Sequence, residues 1–123
     1  MYRILIVDDI DDNVVLLQTL LETEGYTVET AAGGWAALRQ IKAHCPDLIL
    51  LDVMMPDMSG YEVIERVRNK LEFTVPIVLV TAYSDISQAE GMAMGANYLI
   101  RKPINSDELL DCVEKLCAQA HNL

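Results

Sequence analysis

Three aspartates, a threonine and a lysine each stand at the end of a short apolar run: Asp8 and Asp9 in "VDD" (7–9), Asp52 in "LLDVMMPDMSG" (50–60), Thr81 in "VTA" (80–82) and Lys102 in "RKP" (101–103). An acid closing a run as apolar as "LILLD" (48–52) is costly to bury unless something pairs with it. If the acids converge, each carboxylate pair at 4 Å costs on the order of 4 kcal/mol at an effective dielectric near 20, so a cation must compensate. An all-oxygen donor set favours a hard ion. Mg²⁺, with Mn²⁺ as a substitute, tolerates two carboxylates plus waters and leaves room for a phosphate. The hydroxyl of Thr81 and the mobile charge of Lys102 suit phosphoryl oxygens. A carboxylate nucleophile in such company is equipped to form an aspartyl phosphate.

The elements that must position these groups alternate between β-type runs and helical periods, the pattern of a parallel sheet built from βαβ units. Strands are predicted at 3–7, 27–31, 48–51, 76–80 and 97–101. The first helix is predicted from about Asp12 to Glu24, with Val14, Leu17 and Leu21 inward and Gly25 as its stop. The second follows Gly33–Gly34, carries Ala37, Leu38 and Ile41 inward, and ends before Pro46. Ser59 and Glu62 form a capping box for the third, whose inner face is Val63, Ile64, Val67 and Leu71. A fourth helix spans Ile86 to Met94 and stops at Gly95; Asn105 and Glu108 cap the fifth, with Leu109, Val113, Leu116 and Cys117 at helical spacing. The expectation is an α/β fold, a single doubly wound (βα)5 domain over residues 1–123 with strand order 2-1-3-4-5. In such sheets ligands bind outside the carboxyl ends of the strands, where strand order reverses, and all five groups lie at those ends.

Composition narrows the function classes. Nine basic against nineteen acidic residues give a net charge of −10, which disfavours direct contact with nucleic acid or an anionic membrane. No apolar stretch approaches the roughly 20 residues needed to span a bilayer, and "MYRILIVDD" does not read as a signal peptide, so a cytoplasmic location is expected. Cys45, Cys112 and Cys117 lack metal-ligand spacing and read as reduced thiols. Trp35 is assigned no chemical role, and neither His44 nor His121 reads as catalytic. Singly, each of the five polar groups has an ordinary role as a helix-start acid, turn residue, strand-end hydroxyl or solvated lysine. The right group at four separate strand ends is what argues against coincidence.

These four motifs, in this order and spacing, resemble the receiver domain of two-component response regulators, a flavodoxin-like fold. The resemblance covers nearly the whole chain. It implies that Asp52 is the phosphoacceptor. It further implies that Asp9 and Asp52 ligate Mg²⁺ directly with the backbone carbonyl of Met54, that Asp8 does so through water, and that Thr81 and Lys102 bind phosphoryl oxygens. It implies a cis bond at Lys102–Pro103 and, as partners, a sensor histidine kinase or phosphotransfer protein. A downstream protein would be met on the face of the fourth helix, fifth strand and fifth helix by a monomer or weak dimer that is a switch rather than a turnover enzyme. One departure stands out: the family commonly has an aromatic three residues before its lysine, where this chain has Leu99, with Tyr98 on the opposite strand face. Met54 and Tyr83, two residues beyond Asp52 and Thr81, hold water poorly, so a slowly hydrolysed phosphoryl group is expected. A dehalogenase-type phosphatase would need an Asp-x-Asp motif, and a flavin carrier a Ser/Thr-rich loop in place of "DDIDD". A phosphorylation-independent interaction module of the same fold is the alternative; it predicts loss of Asp8, Asp9, Asp52 or Lys102, and all four are present.

Overall fold

A computed structural model describes residues 2–82 and 86–121. The chain alternates β1 (Arg3–Val7), α1 (Asp11–Thr23), β2 (Thr27–Ala31), α2 (Gly34–Ala43), β3 (Leu48–Asp52), α3 (Gly60–Glu65), β4 (Ile77–Thr81), α4 (Gln88–Ala93), β5 (Tyr98–Arg101) and α5 (Ser106–His121). The five strands form one parallel sheet in the order 2-1-3-4-5, as expected, with strand order reversing between β1 and β3.

Alternation along each strand divides the core in two. Leu5, Val7, Ile49 and Leu51 face a cluster closed by Ala37 and Ile41 of α2 and by Val63 and Ile64 of α3. Ile4, Ile6, Leu48 and Leu50 face Leu17 and Leu21 of α1 and Leu109, Val113 and Cys117 of α5. Both faces of the central strands are therefore covered, which is why β3 and β4 are apolar without interruption until their last residues. Each fully buried leucine or isoleucine contributes about 1.5–3 kcal/mol relative to exposure, so the sheet is a rigid platform for what its ends carry.

Several boundaries differ from the sequence expectation for identifiable reasons. β3 and β4 each run one residue further, because Asp52 and Thr81 stay in register beside Val80 and Arg101. The third helix is not regular throughout: α3 gives way to a π-helical turn over Arg66–Lys70, where the Leu71 N–H reaches the carbonyl of Arg66 at 2.9 Å. Ser59 accepts from the Glu62 N–H at 3.2 Å, but the Glu62 carboxylate faces Arg66 at 3.5 Å, so that box is half made. The reciprocal box lies at the start of α4, between Ser87 and Glu90. Asn105 caps α5 as expected, accepting from the Glu108 N–H at 3.0 Å. Gly25 and Gly95 follow α1 and α4 with φ of 92° and 111°, backbone that a glycine adopts without strain. Burial pushes the Cys112 and Cys117 thiols up to about 12 and about 11, which makes them inert core residues. Among the described residues, no helix is long and apolar enough to cross a membrane.

Candidate functional site

Register alone brings the acids together. Val7 lies beside Leu51, so the chain leaves β1 at Asp8 where β3 reaches Asp52. The next neighbours follow the same logic: Asp52 is in register with Val80, ahead of Thr81, and Thr81 with Arg101, ahead of Lys102. Carboxylate oxygens of Asp8, Asp9 and Asp52 lie within 4.8 Å of one another. Lys102 Nζ approaches Asp52 Oδ1 at 3.5 Å. The Lys102–Pro103 peptide bond is cis.

The three acids occupy different environments. Asp8 is buried and tied down, with Oδ1 accepting from the Ile10 N–H at 2.9 Å and Oδ2 from the Asn13 amide at 3.2 Å. Asp9 is exposed. Asp52 is buried at 6% exposure, and burial pushes its carboxyl above the usual carboxylate range. Lys102 pulls it back, Asp8 pushes further up, and the Met54 N–H donates to the carboxylate. Thr81 is buried at the end of β4. The oxygen-only donors, their convergence and the raised Asp52 carboxyl fit a hard divalent cation, which would relieve the repulsion between acids.

Other residues hold this geometry and were not singled out from sequence. Asn13 orients Asp8. Gly60 packs so closely behind β3 that a Cβ there would lie 2.5 Å from the Asp52 carbonyl oxygen. Asp57, five residues past Asp52, reaches across to the start of α2 and accepts from the Gly34 and Trp35 N–H groups at 3.1 Å each. Those bonds hold its carboxyl below the usual range, and a Cβ at Gly33 would meet its oxygens at 2.9 and 3.0 Å. The exposed side chain of Met54 faces solvent, while Tyr83 lies outside the described residues. Leu99 and Tyr98 do face opposite sides of the sheet, Leu99 among the α2–α3 cluster and Tyr98 against α5. The Leu99 backbone is clamped by Gln88, whose amide donates to its carbonyl at 2.6 Å and accepts from its N–H at 3.0 Å.

Comparison with known proteins settles the family. The response regulator receiver domain matches residues 4–114. The chain belongs to that family. This receiver is 40% identical over 116 residues to the response regulator PleD of Caulobacter vibrioides, covering 93% of the chain and 26% of PleD. It is 41% identical over 109 residues to the alkaline phosphatase synthesis transcriptional regulatory protein PhoP of Bacillus subtilis, covering 87% of the chain and 45% of PhoP. The chain thus spans between a quarter and a half of those curated relatives. Among solved structures it is similar to a CheY-like receiver domain protein from Methanospirillum hungatei, with a TM-score of 0.89, 33% identity and coverage of 98% of this chain and 96% of that one. It is also similar to the response regulator TrrA of Thermotoga maritima, crystallised with Mg²⁺-BeF, with a TM-score of 0.85, 39% identity and coverage of 94% and 99%. Receiver domains are phosphorylation-dependent signalling domains of two-component systems.

Proposed function

We propose that this receiver takes a phosphoryl group from a phosphohistidine on a sensor kinase or phosphotransfer protein, or from acetyl phosphate, onto Asp52. The observation that carries the reading is the meeting of three carboxylates within 4.8 Å, with Lys102 set on Asp52. A carboxylate oxygen of Asp52 attacks phosphorus, the bond from phosphorus to the donor nitrogen or acetyl oxygen breaks, and imidazole or acetate leaves with the electron pair. Asp9, Asp52 and the Met54 carbonyl would hold Mg²⁺ or Mn²⁺ directly and Asp8 through a water, with Asn13 fixing the Asp8 carboxylate for that role. When bound, the ion neutralises the acids and the charge spread over the phosphoryl oxygens. Lys102 and Thr81 bind two of those oxygens, and their fixed positions replace solvent reorganisation.

The phosphodonor docks beside α1, where Ile10, Val15 and Leu16 are each more than half exposed. Leu16 lines a hollow with Asn13, Lys102, Pro103 and Ile104, so a donor seated there approaches the acids from the Lys102 side. The signal leaves through α4, β5 and α5 to a downstream protein, not to nucleic acid, from a cytoplasmic monomer or weak dimer. Met92 and Met94 are exposed on that face, and the Gln88 clamp joins α4 to β5 where the usual aromatic is replaced by Leu99. Phosphorylation shifts a two-state equilibrium that the partner reads. Intact-mass measurement after acetyl phosphate treatment tests the reading: one phosphoryl group is expected in the wild type with Mg²⁺, and none in Asp52→Asn or with EDTA. Equal uptake by wild type and Asp52→Asn would refute it.

A further inference from the structure

On the opposite side from the proposed donor face, α2 and the π-helical turn after α3 enclose a groove of about 220 Å³. Its floor is apolar, made by Trp35, Leu38 and Leu71, with Trp35 48% exposed. Its walls are basic: Arg39 and Lys42 rise from α2, and Arg66 and Lys70 from the π-helical turn. These four are nearly half of the nine basic residues in a chain of net charge −10, and among the described residues lining the groove there is no carboxylate, although Glu62 reaches Arg66 from outside it. Arg66 is the most constrained: its guanidinium carbon lies 4.8 Å from the Trp35 ring centroid, and its buried Nε makes no hydrogen bond although Glu62 stands 3.5 Å away.

We propose that this groove docks an acidic amphipathic helix of a partner protein, inserting one large apolar side chain between Trp35 and Leu71. Charge decides the sign of the partner, since carboxylates are drawn to four cations gathered around one groove. Size decides its class: the groove is smaller than the roughly 300–1,000 Å³ of small-molecule sites, yet roomy enough for a single leucine or phenylalanine anchor. Spacing decides its shape. The cations repeat three residues apart on α2 and four apart across the π-helical turn, about one helical turn each, so acids one turn before and after an apolar anchor would face them. The surface shares no residue with the acidic site or with α4, β5 and α5, so its occupancy adds a partner rather than competing with the proposed output.

Trp35 is the only tryptophan and reports directly on its own groove. The probe is a stapled helical peptide of about 15 residues, with a central leucine–phenylalanine ridge flanked by glutamates. Titrated into the unphosphorylated full chain, it is expected to give a saturable blue shift of Trp35 emission in the micromolar range, weakened about tenfold in the exposed-site double variant Arg39→Glu/Lys70→Glu. A lysine-flanked peptide of the same ridge is the counter-probe and should not saturate. No saturable shift, equal binding of the lysine peptide, or equal binding by the double variant would overturn the proposal. A shift with phosphatidylglycerol vesicles but none with the peptide would likewise overturn it in favour of a lipid surface. The assay uses no phosphodonor, so its failure is distinct from failure of the Asp52 assignment.

Discussion

Asp52 ends β3 and Asp57 follows it five residues on, and their surroundings push them in opposite directions. Asp52 is sealed at the end of β3, where burial and the neighbouring Asp8 raise its carboxyl despite Lys102. Asp57 sits at the surface, and two backbone N–H groups at the start of α2 lower its carboxyl. One aspartate is strained by its place and gains from a cation or a phosphoryl group; the other is already satisfied and fastens the loop to α2. Carboxylates of one chemistry thus divide into the proposed phosphoacceptor and a structural acid by what surrounds them.

The sharpest way to break this contrast is to disturb the loop that separates the two acids. Gly60→Ala would place a Cβ 2.5 Å from the Asp52 carbonyl oxygen and 3.0 Å from the Val53 Cα, backbone atoms held by the sheet. Chemical denaturation is expected to report a loss of about 3 kcal/mol. Replacing Lys102 tests the reactive side alone. Lys102→Ala is expected to slow phosphorylation by acetyl phosphate on the order of a hundredfold, followed by mass against time, because a positioned charge at the transferring group is lost.

Stability against pH separates the two acids further. For Asp52 the native carboxyl is raised, so between the ordinary range and that raised value the folded chain holds a proton the unfolded chain has released. Stability therefore falls as pH rises through that window, and Asp52→Asn should remove the slope and stabilise the metal-free protein at neutral pH by on the order of 1 kcal/mol. For Asp57 the native carboxyl is lowered, so its contribution is present above the ordinary range and lost as pH falls through the lowered value. Asp57→Ala should remove that acid-side loss and, at so exposed a site, destabilise by only about 0.5 kcal/mol. Thermal melts across pH in EDTA would show both slopes; the same slope change in both variants would erase the distinction. The smallest effect concerns Met54, whose exposed thioether orients water poorly: Met54→Asn should shorten the phosphoryl lifetime several-fold.

Much of this arrangement was legible in sequence because it depends on periodicity and strand ends. Uninterrupted apolar runs marked β3 and β4, and the residues just beyond each run supplied Asp8, Asp9, Thr81 and Lys102. Asp57 was not legible, since its partners Gly34 and Trp35 lie 23 and 22 residues away and no local spacing announces them. The π-helical turn was hidden for the opposite reason: Val63, Ile64 and Val67 satisfy an ordinary helical period, and the widening shows only in the Arg66–Leu71 hydrogen bond. The capping box at Ser87 and Glu90 carried the same signal as Ser59 and Glu62 and was overlooked, whereas at Ser59 the ion pair with Arg66 diverted the reciprocal half. Trp35 read as idle because its role depends on Arg66, from another helix, stacking on its ring.

The most direct measurement exploits the fact that Asp47, Asp52 and Asp57 share one tryptic peptide, residues 43–66. Borohydride reduces an aspartyl phosphate to homoserine at the modified position, and fragmentation of the peptide reads which position that is. After treatment with acetyl phosphate and Mg²⁺, homoserine is expected at position 52 and at neither of the others. Homoserine at 57, or an unmodified 43–66 peptide from a protein that has gained phosphate, would contradict the account.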